Sequence, residues 1–238
     1  PNIFPEGNEQ PRYNTIDATL WLFDAIHRYT RRVDQSGTQN PKAWNKKLEE
    51  IIEAHFQGTH EGIQVNGDGL LMGGSEGSQL TWMDVKVDGH VPTPRHGKPV
   101  EIQALWYHAL ASLNQHGSLI EEMNMQYNLE VAMGLCLESF TERFVDPEKM
   151  ILADVVDRDG KGTVDWAQRP NQVIPFALEN NPIPDSLRGA ILRNVSSQLL
   201  TPRGLRSLAP EDSAYKGIYR GPVEIRDRAY HQGTAWMW

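Results

Sequence analysis

The chain has 238 residues, a net charge of -8 and a pI of about 5.5, with 39% hydrophobic and 23% charged residues. That balance supports a sizeable core and excludes a disordered chain, while the acidic excess argues against unassisted binding to nucleic acid or an anionic membrane. No apolar run approaches the roughly 18 residues of a membrane span, and no charged-then-apolar stretch opens the sequence.

The first predicted helix opens after YNTID (13–17), where Asn14 is placed to cap and Asp17 follows three residues on. Leu20–Trp21–Leu22–Phe23 is apolar on every face, the mark of a helix buried on most sides. Its last turn is basic, with Arg28, Arg31 and Arg32, which suits the helix dipole. An amphipathic second helix follows over 41–56, with Trp44, Leu48, Ile51 and Ile52 facing inward. Residues 57–98 are glycine-rich and irregular, with short alternating pieces that read as hairpins.

Pro99 suits the first position of a third helix, in which Ile102, Leu105, Trp106, Ala109 and Leu113 recur at helical spacing. A fourth helix is predicted over 119–144. It carries Cys136, the only cysteine, in an apolar stretch that reads as a buried small hydrophobe. One cysteine makes no internal disulfide and gives no sign of an oxidising compartment, so a cytoplasmic location is expected. After an irregular stretch at 145–168, a fifth helix is predicted over 170–179 and a sixth over 185–199. Residues 200–228 lead to a seventh that opens near His231. Pro1 is not a Met, and Trp238 closes the chain inside an apolar run, so both ends are expected to be cuts.

The connections alternate short and long. Helices opened by a long connection are apolar on more faces than those opened by a short turn. This predicts an all-α single domain over 1–238, an α/α barrel or a partial arc of one, with long loops and small hairpins at one end. The four motifs that open inner helices then converge at that end: YNTID, TPRHGKPVEIQALWY (93–107), RPNQ (169–172) and YHQGTAW (230–236).

That end is where chemistry is expected. QLTWMD (79–84) places Asp84 two residues after Trp82. An indole offers a flat apolar face for a pyranose ring, and a partly desolvated carboxyl beside it is suited to act as an acid. Arg95, Glu101 and Trp106 follow, with Glu101 in the first turn of its helix where the dipole favours a carboxylate. Arg169, Asn171, Gln172, His231, Gln232, Trp236 and Asp17 stand at the other helix openings. Their amide, imidazole and guanidinium groups are natural partners for sugar hydroxyls.

Other motifs carry less. Asp157–Arg158–Asp159–Gly160–Lys161–Gly162 begins like a calcium loop, but Lys161 occupies a ligand position and Gln168 stands at the closing one. The histidines lack metal-ligand spacing, and no nucleophile elbow or phosphate-binding loop occurs. No metal and no cofactor are expected.

These residues carry a resemblance. PNIFPEG with YNTIDATLWLFDAIHRY, LTWMDVKVDGHVPTPRHGKPVEIQALWYHAL, RPNQ, LLTPRGLRSLAPEDSAYKGIYRG and YHQGTAW together resemble the amylo-α-1,6-glucosidase domain of glycogen debranching enzymes, most closely the prokaryotic branch. His96 and Met237 are small departures from the family pattern. The resemblance implies a barrel of six helix pairs, here cut to about seven helices. It implies an inverting glycoside hydrolase that removes glucosyl residues at α-1,6 branch points of glycogen or limit dextrin. In such enzymes the acid and base carboxyls stand roughly 6.5–9.5 Å apart to admit a water. By position Asp84 is the general acid, and the base would follow Trp238. Two other readings remain open at this point: a barrel glycosidase for another glucosidic linkage, and a non-catalytic glycan-binding module.

Overall fold

The structure is a computed structural model and describes residues 10, 11, 13–34, 44–83, 85–117 and 128–237. Helix α1 (Ala18–Asp34) is opened by Thr15, whose Oγ1 accepts from the Ala18 amide at 3.3 Å, rather than by Asn14. Helix α2 (Asn45–Gln57) buries Leu48, Ile52 and His55, while Trp44, expected inward, is 49% exposed. It stops at Gly58, whose φ of 93° lies in the left-handed region that glycine enters at little cost.

Helix α3 (Val100–Gly117) is the centre of the domain. Val100, Ile102, Leu105, Trp106, Ala109 and Leu113 have no exposed surface, because α1, α2, α4 and the 170–177 stretch surround the helix. A polar residue on such a helix must find partners within the protein. Gln103 accepts from the Leu71 amide and donates to the Leu71 carbonyl, both at 2.8 Å. Helix α4 (Leu129–Phe144) is capped by Asn128, which accepts from Val131 N at 3.2 Å; the predicted start of this helix lies outside the described residues. Burial pushes the Cys136 thiol up. The native protein is therefore expected to leave Cys136 unmodified by a thiol reagent over a period in which the urea-unfolded chain reacts fully.

The fifth predicted helix is instead a 3-10 stretch, Pro170–Ala177. Pro175 lies inside it and lacks the N–H that an α-helical turn needs, which holds the segment to tighter, shorter bonding. Helix α5 (Asp185–Leu199) follows as expected, and α6 (Val223–Arg226) is one turn. No helix opens at His231. His231 has φ of 55° and Gly233 φ of 137°, which turn the chain into a short strand.

Among the described residues, ten two- or three-residue strands occupy the long connections and the final segment. They are β1 (Gln64–Val65), β2 (Leu71–Met72), β3 (Lys98–Pro99), β4 (Val145–Asp146), β5 (Ile151–Leu152), β6 (Val155–Val156), β7 (Val164–Asp165), β8 (Leu200–Thr201), β9 (Gly204–Arg206) and β10 (Ala235–Trp236). All pairings are antiparallel: β1 with β2, β4 with β5, and two three-stranded sheets in the orders β3-β6-β7 and β10-β9-β8. The middle sheet ties the first long connection to the second.

Helices α1 and α3 and the 3-10 stretch pack in sequence, with α2 and α4 against α3 and α5 against the 3-10 stretch. This is a partial helical arc with small sheets. Among the described residues it does not close into a ring. An open apolar groove of about 820 Å³ runs between α1 and α2, lined by Ile16, Leu22, Ile51 and Ile63 among others. No described helix is long and apolar enough to cross a membrane.

Candidate functional site

The long connections and the helix openings meet at one place. The YNTID segment arrives there because the Ile16 amide donates to the Leu80 carbonyl at 2.9 Å, two residues before Trp82. The Trp82 indole N–H donates to Asn171 Oδ1 at 2.9 Å, which joins QLTWMD to RPNQ. The Trp82 and His231 rings meet edge to face at 5.0 Å, which brings in YHQGTAW. Four segments far apart in sequence thus share one cluster.

Beneath the cluster lies a buried charge network. Arg95 is 2% exposed and pairs with both oxygens of Glu101 and both of Asp154. Its Nε lies 2.9 Å from Asp154 Oδ2 and its Nη2 3.1 Å from Oδ1. Burial alone would lower the Arg95 pKa, but the two carboxylates outweigh it and hold the guanidinium charged. Arg169 approaches the same carboxylate, Nε to Asp154 Oδ2 at 3.7 Å, and its Nη1 donates to the carbonyls of His231 at 2.7 Å and Ser207 at 3.1 Å. Two guanidiniums and two carboxylates therefore balance in charge out of water.

The amide residues are similarly engaged. Asn171 donates to Asp154 Oδ1 at 2.7 Å and is fully buried. Gln232 donates to the Pro92 carbonyl and to Thr93 Oγ1, each at 2.7 Å. Gln172 donates to Gln168 Oε1 at 2.9 Å and to the Arg169 carbonyl at 3.2 Å. These groups hold protein to protein. Trp106 stands apart: it is fully buried between α2 and α3, its N–H on the Gly69 carbonyl at 3.1 Å and its ring against His55 and Phe56.

The outer layer is aromatic. Trp82, Tyr230 and Trp236 are half-buried, and the His231 ring lies among them, 4.1 Å from Tyr230 and 4.6 Å from Trp236. Neither His231 ring nitrogen has a hydrogen-bond partner among the described residues. Burial first, then Arg169 and Arg95, lowers its pKa to about 4, so the imidazole is neutral at pH 7. Beside Gln232 opens a cleft of about 500 Å³, lined by His90, Pro92, Ala214, Lys216 and Arg228. Asp17, half-buried at the mouth of α1, accepts from the Thr15 hydroxyl. Asp84 lies outside the described residues, two positions from Trp82.

Three residues of this assembly escaped the sequence reading. Asp154 sits in ILADVV, which shows only a short apolar strand. Ser207, fully buried, accepts from Gly233 N at 3.0 Å and donates to the Thr234 carbonyl at 3.1 Å. Tyr230 adjoins His231, but a tyrosine beside a charged turn carries no sequence sign of a shared aromatic cluster. Among the described residues, no group of three or more His, Cys, Asp or Glu could hold a metal. The suspected calcium loop is a turn: Asp157 and Asp159 accept from the Gly162 and Lys161 amides, and Asp157 Oδ2 is bound by Lys98 and Arg143.

Comparison with known proteins fits this picture. The chain is 25% identical over 325 aligned residues to the glycogen debranching enzyme of Saccharomyces cerevisiae (strain ATCC 204508 / S288c). All of this chain is aligned, but it spans only 21% of that relative's length. The family model described as amylo-alpha-1,6-glucosidase matches residues 1–238, end to end, and the chain belongs to that family.

Proposed function

We propose that this chain is part of a glycoside hydrolase that releases glucosyl residues from α-1,6 branch points of glycogen or a limit dextrin. The observation that carries the reading is the meeting of YNTID, RPNQ and YHQGTAW on the QLTWMD segment, at Leu80 and Trp82, just before Asp84. The helical arc is one part of an α/α barrel, a single domain completed by segments outside residues 1–238. Trp82 and Trp236 offer aromatic faces to the sugar, with His231, Arg169 and Asp17 around them. The branched glucan approaches through the cleft beside Gln232. Arg95, Glu101, Asn171, Gln172 and Gln232 fix those faces from beneath, and Trp106 supports α3 from the core.

Asp84 protonates the departing glycosidic oxygen. A second carboxylate, contributed from outside this chain, activates water on the opposite face, and the anomeric configuration inverts. The reading involves no cofactor, nucleic acid or membrane, and it places the enzyme in the cytoplasm beside its polymer. The test is glucose release from a branched limit dextrin by the intact protein. Asp84→Asn is expected to lower kcat by about 10²- to 10⁴-fold, the usual contribution of a general acid. Equal rates would remove Asp84 from the chemistry. Calorimetric binding of the dextrin without any turnover by the unmodified protein would favour a glycan-binding module instead. Faster hydrolysis of another glucosidic bond in a substrate panel would change the linkage.

A further inference from the structure

We infer that Asp154 is a positioning residue for this reaction, acting through Asn171 on the Trp82 indole. The inference rests on the hydrolase reading for its kinetic consequence, though not for its geometry. Asp154 lies between β5 and β6, and sheet-like bonds fix its backbone: its amide donates to the Asp165 carbonyl at 2.8 Å, and its carbonyl accepts from Val100 N at 2.9 Å. Its carboxylate is held by Arg95 from one side. It is therefore firmly anchored under the cluster. Asn171 connects it to Trp82, with 2.7 Å on the Asp154 side and 2.9 Å on the indole side.

The chemistry of the three groups makes this connection directional. An ionised carboxylate only accepts hydrogen bonds, and an indole N–H only donates. Neither can bond to the other through a group that is solely a donor or solely an acceptor. A primary amide does both, and here its orientation is forced. The NH2 of Asn171 must face Asp154, which leaves its oxygen toward Trp82. The charge on Asp154 thereby sets which way the amide points, and the amide sets the tilt of the indole. Trp82 is half-buried, one edge held by the relay and its ring against His231, and the exposed part of the indole is the part a sugar would meet. Its tilt sets the face on which a sugar would rest, and so where the reacting bond would lie. A displacement of about 1 Å at a reacting group can cost on the order of a hundredfold in rate.

Two variants test the relay in the intact protein. Asn171→Leu removes the adaptor while keeping the branched shape and the neutral charge of the side chain. Asp154→Asn removes the charge that orients the adaptor. In protein carrying ¹⁵N-labelled tryptophan, the Trp82 indole resonance is assigned by its loss in Trp82→Phe. Both variants are expected to shift that resonance and to lower kcat by roughly 10- to 100-fold, with a smaller change in KM. Combined with Trp82→Phe, neither is expected to lower kcat further, because both act through the same ring. An unshifted resonance in either variant, or kcat losses that multiply with Trp82→Phe, overturns the inference. If Asp154→Asn fails to fold, Asp154→Glu replaces it, keeping the charge but moving it by one methylene, with the same two outcomes. Failure of the hydrolase reading is separable: the unmodified protein would release no glucose while the resonance shifts remained.

Discussion

Replacing Arg95 by Met is expected to be among the most destabilising single changes this domain can undergo. The guanidinium is buried with the carboxylates of Glu101 and Asp154, whose side chains are 1% and 2% exposed. Its removal takes away the cation that opposes the burial-driven rise of the Glu101 pKa, and leaves Asp154 only the more distant Arg169, at 3.7 Å, to balance its charge. Breaking a buried ion pair from one side typically costs about 3–5 kcal/mol, a large share of the stability of an average domain. Urea unfolding followed by circular dichroism measures the loss. Arg95→Lys is expected to recover little of it, because an ammonium lacks the planar fork that reaches two carboxylates at once. Adding Glu101→Gln to Arg95→Met is expected to restore part of the stability, since one of the two carboxyls that Arg95 served is gone. A loss below about 1 kcal/mol for Arg95→Met would mean that water reaches these carboxylates and that the buried network does not exist as described.

The helices were legible because their signals are local. The apolar run at residues 20–23, the helical spacing from Ile102 to Leu113 and the polar, proline-marked openings lie within a few turns of the segments they define. The departures have local causes too. Pro175 tightens the RPNQ segment into a 3-10 stretch, and the left-handed turn at His231 and Gly233 precedes a strand where a helix was expected. A β-branched residue after glycine, Thr234 after Gly233, was the available sign of that strand.

The candidate site was legible in a different sense. Its residues could be picked out as chemically suitable, but not sorted into those on the surface and those beneath it. The hydrogen-bonding groups of Arg95 and Asn171 suit a sugar, yet they are taken up by Asp154, which lies 59 and 17 positions away. A partner at that distance leaves no mark on spacing. Asp154 itself was invisible for the same reason: within ILADVV it looks like a solvated acid interrupting a strand. Trp106 shows the converse. Its place in a conspicuous motif suggested substrate, while its helical spacing with Ile102 and Leu113 already described a core residue.

The second large effect is expected under acid. His108 is fully buried between α1 and the end of the 3-10 stretch, with Asp24 Oδ1 at 3.4 Å, the His27 ring at 5.3 Å, and Arg28 and Glu179 nearby. Burial lowers its pKa from 6.5 to about 4; Asp24 opposes the shift, while His27 and Arg28 add to it. His231, at the opposite end of the chain, has the same depressed value for a related reason. Above pH 6.5 both imidazoles are neutral in the folded and the unfolded protein, and stability is at its full value. Between pH 6.5 and 4 the unfolded chain takes up protons that the folded protein refuses, so stability falls as pH falls. The loss is about 3 kcal/mol for each histidine and is complete below pH 4. Asp157 acts later. Burial raises its pKa, but Lys98 and Arg143 outweigh that and bring it down to about 2. Its contribution is therefore intact above pH 3.8 and disappears only as pH falls through 2. Before Glu179 and the aspartates held down by their partners add to the loss, urea midpoints measured from pH 7.5 to 4.5 follow the first phase. His108→Gln is expected to remove about half of it, and adding His231→Phe most of the rest, the second change with little loss at pH 7 because two unpartnered nitrogens leave an aromatic setting. A midpoint that stays flat from pH 6.5 to 4.5 in the unmodified protein would place both rings in contact with water, and with it the floor of the aromatic cluster.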